Sequence, residues 1–265
     1  MTTEITIPAL WRMKESGEKI AVLTAYDAAF ARILDEVGMD VVLVGDSLGM
    51  VLQGEPDTLK VGMDDMIYHT RLARRGVRRA LLVADMPNQS YATPQSALAN
   101  ARRFVAECGA AVVKLEGGRE VIDAIRSILS ADIAVCGHLG LQPQSIKTYG
   151  GYKVQGRDPE GAERILADAR LLEDEGVSML VLECIPSGLA ERIAAAVKMP
   201  VIGIGAGPGC DGQVLVLHDL LGISPRIPRM AKNYLAAGGS IKDAIAAYVK
   251  EVKDGRFPGP EHSFS

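Results

Sequence analysis

The chain has 265 residues, of which 48% are hydrophobic and 23% are charged. This balance is typical of an ordinary globular protein and excludes disordered or fibrous chains, and the length is close to the roughly 250 residues of one eight-fold β/α barrel. The formal net charge of −4 gives no electrostatic basis for binding the phosphates of nucleic acid.

Eight short apolar or β-branched runs recur along the chain. In order they are KIAVLTAY, DVVLVGDS, ALLVADMP, AVVKLEGG, DIAVCGHLG, SMLVLECIP, PVIGIGAG and QVLVLHD. The amphipathic stretches between them include DAAFARILDEVG, TPQSALANARRFVAECG and PEGAERILADARLLEDEG, which end in glycine as helices commonly do. Strands that alternate with helices predict a parallel sheet, and eight of them favour a closed (β/α)8 TIM barrel over an open doubly wound sheet. We expect one such domain over residues 1–265, with short N-terminal and C-terminal extensions.

Polar side chains close five of the eight predicted strands. The active sites of β/α barrels lie at the C-terminal ends of the strands, so these residues are candidates for chemistry. Because side chains alternate along a strand, Lys114 and Glu116 are predicted to face the barrel interior, while Val113 and Leu115 face the helices. The predicted lining of the mouth comprises Asp46, Ser47, Asp85, Lys114, Glu116, His138 and Glu183.

Four carboxylates from four strands would meet at this mouth. Their charges repel one another, and a buried ion is costly unless it is paired or bound to a metal. A cation resolves the conflict, and oxygen ligands favour a hard ion such as Mg²⁺. Lys114 would add a positive charge for a substrate carboxylate or a developing oxyanion. The residues therefore predict a metal-dependent enzyme that stabilises the enolate of a small 2-keto acid.

Each of these residues also has a purely structural interpretation. An Asp or Ser after a strand can simply be the N-cap of the next helix, which applies to Asp46, Ser47 and Asp85. His138 is either a hydrogen-bonded buried histidine or a contact to a substrate oxygen. Glu183 is either the partner of an arginine or a carboxylate that acts as a base.

The glycine-rich run IGIGAGPGCDG suggests dinucleotide binding at first sight. A dinucleotide fingerprint should open the first β-α unit, whereas this run lies late in the chain. We expect instead a tight loop after the seventh strand, where a ligand can approach the backbone closely.

Other features favour a cytoplasmic protein without nucleic-acid or membrane partners. The four cysteines are far apart and have no metal-finger spacing, which is typical of reduced thiols. The N-terminal segment lacks the continuous apolar stretch of a signal peptide, and no segment reaches about 18 apolar residues. One basic cluster has helical spacing, which favours a solvated helix face or a subunit contact: Arg71, Arg74, Arg75, Arg78 and Arg79.

At these residues the sequence resembles the ketopantoate hydroxymethyltransferase family. The similarity extends over nearly the whole chain, and several of the shared segments are long and unusual. They are LTAYDAAFA, LVGDSLGMVLQG, YHTRLARRG, YATPQSA, VKLEGG, CGHLGLQPQS, GGYKVQGR, LVLECIP, VIGIGAG, DGQVLVLHD and PGPEHSFS.

The resemblance implies a barrel of the phosphoenolpyruvate/pyruvate type that transfers a hydroxymethyl group from 5,10-methylenetetrahydrofolate to 3-methyl-2-oxobutanoate, giving ketopantoate for pantothenate synthesis. It implies one Mg²⁺ per subunit, held by Asp46, Asp85 and Glu116, and it makes Glu183 the proton acceptor. The keto-acid contacts that it implies are Asp46, Ser47, Asp85, Lys114 and His138. It also implies a large homo-oligomer, commonly a decamer. The folate donor follows from the resemblance alone.

Two other functions remain open at this point. One is a Mg²⁺-dependent lyase or mutase of the same barrel class that acts on another 2-keto acid, since fold alone does not determine function. The other is a metabolite-binding barrel without catalysis. Incorporation of one carbon from folate would distinguish the transferase from the first, and turnover would distinguish it from the second.

Overall fold

Eight parallel strands close into a barrel in the sequential order β1 to β8 in the computed structural model, which describes residues 4–265. Seven of the eight predicted runs contain one strand each, and the eighth strand begins one residue before its run, so the predicted barrel is confirmed. The strands are β1 Ile20–Thr24, β2 Val41–Val44, β3 Leu81–Asp85, β4 Val112–Glu116, β5 Ala134–Gly140, β6 Met179–Glu183, β7 Val201–Ile204 and β8 Gly212–Leu215.

Helices surround the barrel and connect successive strands. Within residues 4–265 they are α1 Ile7–Ser16, α2 Ala28–Glu36, α3 Leu48–Val51, α4 Met63–Arg74, α5 Pro94–Cys108, α6 Ile122–Leu129, α7 Ile146–Tyr149, α8 Pro159–Asp174, α9 Ser187–Ala196, α10 Leu217–Leu220 and α11 Ile241–Lys253. Local chemistry sets their boundaries. The Asp27 carboxylate caps α2. Helix α5 begins at Pro94 after the Thr93 cap and ends at Cys108, and the next residue, Gly109, has the left-handed conformation. The three helices predicted from amphipathic stretches are α2, α5 and α8.

Side-chain alternation along the strands separates two apolar layers. One side of each strand packs against the helices, as Val113, Leu115, Leu180 and Leu182 do. The other side fills the barrel interior with branched and sulfur-containing side chains, among them Ile20, Val41, Val83, Val112, Cys136, Met179, Val181, Ile202 and Val214. The lower interior is therefore a packed core, and ligand chemistry is left to the mouth.

Helix α1 closes the N-terminal end of the barrel. Its Leu10 and Met13 join the interior apolar cluster. The Nζ atom of Lys14 lies 2.8 Å from Oδ2 of Asp211, and the indole N–H of Trp11 donates to the carbonyl of Ser178 at 2.9 Å. Helix α1 therefore covers the end of the barrel opposite the polar strand ends.

The glycine-rich segment forms the predicted tight loop after β7. Gly205 and Gly207 have φ angles of +61° and +83°, a region that L side chains rarely adopt. The side-chain amide of Gln213 donates to the Gly207 carbonyl at 3.0 Å and fixes the loop against β8.

The predicted basic cluster lies mostly at the protein surface. In the predicted basic cluster, four arginines are exposed, and the half-buried Arg79 donates to the carbonyl of Met39 at 2.8 Å. Over the described part of the chain, no helix combines the length and apolar character needed to cross a membrane.

Candidate active site

The C-terminal ends of β2 to β6 deliver one set of polar side chains to the barrel mouth. Strand register places Asp85 beside Lys114, Glu116 beside His138, and Gly140 beside Glu183. All the charged or titratable members are buried, with exposed fractions of 2% to 9%: Asp46, Asp85, Lys114, Glu116, His138 and Glu183. The structure therefore brings together every residue that the sequence placed at the mouth.

Lys114 and Asp85 form the shortest ion pair among the described residues of the site. Nζ of Lys114 lies 2.5 Å from Oδ1 of Asp85, and both side chains are almost fully buried. Burial alone would lower the pKa of Lys114, but the charges of Asp85, Glu116 and Asp46 outweigh it and hold the pKa above its ordinary value. Lys114 is therefore a permanent positive charge at the mouth.

Asp46 sits in an electrostatically crowded position. Burial and the neighbouring charges of Asp85 and Glu116 raise its pKa to about 8, although Lys114 opposes the shift. Its backbone N–H donates to Oδ2 of Asp85 at 3.2 Å, which fixes the two residues relative to each other. A buried carboxylate beside other negative charges is stabilised when it binds either a proton or another cation.

The donor chemistry of this cluster fits a hard divalent ion. Asp46, Asp85 and Glu116 supply only carboxylate oxygens, the ligands that Mg²⁺ prefers, and their mutual repulsion is relieved by a positive ion. Within residues 4–265, no three acidic, histidine or cysteine side chains are already arranged as a metal-ligand group. Lys114 instead engages Asp85, and the side chain of Gln144 engages Asp46.

His138 lies between two carboxylates. Its Nδ1 atom is 3.6 Å from Oε1 of Glu116, and its Nε2 atom is 3.3 Å from Oε2 of Glu183. Neither ring nitrogen has a hydrogen-bond partner among the described residues. Burial and Lys114 lower the pKa of His138, but Glu116 and Glu183 outweigh them and raise it to about 9. Among the described residues, the ion-pair partner of Glu183 is this histidine and not an arginine.

Helix capping does not explain the side chains of Ser47 and Asp85. Ser47 occupies the N-cap position of α3, but its side chain makes no capping hydrogen bond. Its hydroxyl instead lies 2.9 Å from the hydroxyl of Tyr26, a fully buried residue after β1. Asp85 cannot cap α5, because that helix begins only at Pro94 and has Thr93 as its cap.

The backbone around Glu183 is held tightly. Its carbonyl accepts a hydrogen bond from the N–H of Leu141 at 2.8 Å, and the next residue, Cys184, donates its N–H to the carbonyl of Ile204 at 2.9 Å. Cys184 has a φ of +48°, an uncommon conformation for a residue other than glycine. Such strain is retained where the surrounding structure fixes a side chain in place.

Sequence reasoning missed two residues of the site, Gln144 and Tyr91. Gln144 follows β5 and bonds to both Asp46 and Glu116, and its side-chain carbonyl accepts from the Tyr91 hydroxyl at 2.6 Å. Both lie in loops, where strand alternation gives no signal. The only hint in the sequence is that each lies a few residues beyond the polar end of a strand.

Comparison with known proteins gives a consistent match. A family model described as ketopantoate hydroxymethyltransferase matches residues 4–260. The 3-methyl-2-oxobutanoate hydroxymethyltransferase of Methylococcus capsulatus is 55% identical over 264 residues, which cover 100% of this chain and 98% of the relative. That of Shewanella loihica is 54% identical over 264 residues, covering 99% of this chain and 100% of the relative.

Solved structures with low sequence identity share the fold. A 2,3-dimethylmalate lyase, described as a PEP mutase/isocitrate lyase superfamily member, aligns with a TM-score of 0.59 and 19% identity over 79% of this chain and 80% of its own. A phosphonopyruvate hydrolase aligns with a TM-score of 0.62 and 14% identity over 95% of this chain and 96% of its own.

Proposed function

The chain belongs to the ketopantoate hydroxymethyltransferase family, and we propose that it transfers a hydroxymethyl group from 5,10-methylenetetrahydrofolate to 3-methyl-2-oxobutanoate, giving 2-dehydropantoate. The observation that carries the proposal is the family match over residues 4–260. The polar mouth supplies a chemistry that suits this reaction, since it combines clustered carboxylates, a buried ammonium group and a separate carboxylate at the end of β6. On the same basis, we place the product in pantothenate biosynthesis.

The cofactor in this proposal is one Mg²⁺ per subunit, held by Asp46, Asp85 and Glu116. When bound, it would act as a Lewis acid on the keto and carboxylate oxygens of the substrate and so acidify the neighbouring C3–H bond. The oxygen-only donor set and the raised pKa of Asp46 support this assignment.

Glu183 is the proposed base. It would remove the proton from C3 of the keto acid, directly or through one water molecule, and the resulting enolate carbon would attack the one-carbon unit of the folate. Water supplies the hydroxyl oxygen of the new group, and tetrahydrofolate leaves. The fixed backbone on both sides of Glu183 supports this role, because a base must be held within hydrogen-bond reach of the proton that it takes.

The remaining polar residues hold and polarise the substrate. Lys114 offers its ammonium group to the substrate carboxylate or to the developing negative oxygen. Ser47, which lies beside the Tyr26 hydroxyl, and His138, between Glu116 and Glu183, would contact the keto acid. Asp46 and Asp85 would contact the keto acid through the same face that binds the cation.

The main alternative is a lyase or mutase that acts on another 2-keto acid with the same metal chemistry. The similarity to solved lyase and hydrolase barrels reflects the shared fold. The discriminating experiment is a complete assay with 3-methyl-2-oxobutanoate, labelled methylenetetrahydrofolate and Mg²⁺. We expect the labelled carbon in 2-dehydropantoate and none after EDTA treatment. Carbon–carbon cleavage without folate would favour the alternative.

We also propose a homo-oligomer, decameric as implied for the family, that works in the cytoplasm. The four free, buried cysteines of the described residues suit a reducing compartment. Light scattering coupled to size exclusion tests the assembly, and a mass ten times that of one chain is expected.

A further inference from the structure

Gln144 uses all the hydrogen-bonding groups of its side chain at the mouth. Its Nε2 atom donates to Oδ2 of Asp46 at 2.8 Å and to the carbonyl of Met86 at 3.0 Å. Its Oε1 atom accepts from the hydroxyl of Tyr91 at 2.6 Å. The partners determine the orientation of the amide, because a carboxylate and a carbonyl accept hydrogen bonds while the tyrosine hydroxyl donates.

The backbone of the same residue makes a fourth bond to the site. Its N–H donates to Oε2 of Glu116 at 2.9 Å. Gln144 lies in the single turn of 3-10 helix, Pro143–Ser145, that follows β5. One loop residue thus connects the carboxylates at the ends of β2 and β4, which belong to different strands.

The hydrogen bonds of Gln144 engage one oxygen of each carboxylate, which affects how the two carboxylates can bind a cation. Gln144 engages Oδ2 of Asp46 and Oε2 of Glu116, and among the side chains that the structure describes no other donates a hydrogen bond to the Asp46 carboxylate. This leaves Oδ1 of Asp46 for a positive ligand, while Oε1 of Glu116 lies 3.6 Å from Nδ1 of His138. Hydrogen bonds to metal-binding carboxylates fix their orientation and typically influence affinity strongly.

We propose that Gln144, with its amide fixed by Tyr91, is a positioning residue that orients Asp46 and Glu116 for a divalent cation. The inference rests on the proposed metal-dependent function. Gln144 acts through the two carboxylates and needs no contact with the substrate.

The test measures binding of Mn²⁺, a paramagnetic substitute for Mg²⁺, to the full-length protein after removal of metal with EDTA. Electron paramagnetic resonance reports free Mn²⁺, and calorimetry gives an independent affinity. The variants are Gln144→Leu, which removes the amide, and Tyr91→Phe, which removes one hydroxyl that fixes it. Gln142→Leu is the matched control, because Gln142 lies in the same loop and its side chain accepts only a long 3.5 Å bond from Ser145.

Gln144→Leu should weaken Mn²⁺ binding by roughly 10–100-fold, as expected when a hydrogen-bond partner of a metal ligand is lost. Tyr91→Phe should weaken it by about fivefold, the effect of one hydrogen bond. Gln142→Leu should bind as the wild type does. In steady-state assays, Gln144→Leu should raise the Mg²⁺ concentration for half-maximal rate, and saturating Mg²⁺ should restore most of kcat. A merely structural defect would not be rescued by the ion.

Unchanged Mn²⁺ affinity in both Gln144→Leu and Tyr91→Phe, with a wild type that binds, would overturn the role of Gln144 and leave the proposed function intact. A wild type that binds no Mn²⁺ would overturn the metal assignment and this inference with it. If Gln144→Leu does not fold, the Mn²⁺ affinity of Tyr91→Phe alone decides the role of Gln144, since this variant keeps the Gln144 amide and the aromatic ring.

Discussion

The Nε2 atom of His138 lies 3.3 Å from Oε2 of Glu183, and the opposite ring nitrogen lies 3.6 Å from Oε1 of Glu116. A single imidazole therefore separates a proposed metal ligand from the proposed base. The charge of the imidazole affects both carboxylates, because a protonated ring stabilises their negative charges more than a neutral ring does.

We expect His138 to be protonated at pH 7 in the metal-free protein. Burial and Lys114 lower its pKa, but Glu116 and Glu183 outweigh them and raise it from 6.5 to about 9. A raised histidine pKa gives stability that is fully present below about pH 6.5 and lost as the pH rises through 9. Nitrogen-15 NMR of labelled histidine reports the charge directly, with His138→Gln to assign the signal. A neutral His138 imidazole at pH 7 would contradict this prediction.

Removing the Lys114 ammonium should leave Asp85 buried without its charged partner. We expect Lys114→Met to lower the free energy of unfolding by about 3–5 kcal/mol, as for other broken buried pairs. The double variant Lys114→Met/Asp85→Asn should recover part of the loss, because it removes the uncompensated charge. Lys60→Met is the control, since the exposed pair of Lys60 with Glu55 should contribute close to nothing. Equal losses in denaturant titrations of the two single variants would contradict the prediction.

Mg²⁺ affinity should rise with pH between about 6 and 8. A carboxyl whose pKa is raised to about 8 still holds its proton at neutral pH, so the cation must displace it. The same shift means that Asp46 lowers the stability of the metal-free protein as the pH rises from 3.8 toward 8. Calorimetry in two buffers with different ionisation enthalpies should show about one proton released per ion at pH 7. Asp46→Asn should abolish this release, and pH-independent affinity would argue against Asp46 as a ligand.

Gly140→Ala should destabilise the protein and displace Glu183. Gly140 has a φ of +93°, and an added Cβ would lie within 2.2 Å of the Glu183 carbonyl oxygen. We expect a loss of at least about 2 kcal/mol together with reduced turnover. Gly188→Ala is the matched control: Gly188 lies in α9 with no atom near the added Cβ, and its change should be neutral or slightly stabilising. Thermal unfolding and kcat of both variants provide the comparison.

Strand alternation explains how much of this site the sequence could predict. Lys114, Glu116, His138 and Glu183 occupy alternating positions in apolar strands, and a barrel has one mouth, so their convergence follows from the topology. The contacts of Gln144 and Tyr91 depend on how loops fold over that mouth, and loop residues have no fixed periodicity. The sequence alone could not decide between the two interpretations of His138. Its position between Glu116 and Glu183 depends on the register of three strands.

In the proposed function, Glu183 removes the C3 proton of the keto acid while the bound metal acidifies it. The most direct test is exchange of that proton in D₂O, followed by NMR with 3-methyl-2-oxobutanoate and no folate, first with Mg²⁺ and then with EDTA. We predict exchange that requires Mg²⁺, is slower by roughly 10²–10⁴-fold in Glu183→Gln, and is unchanged in the exposed control Glu160→Gln. Exchange that persists in EDTA would contradict the role of the metal, and exchange that proceeds equally fast in Glu183→Gln would contradict the role of Glu183 as the base.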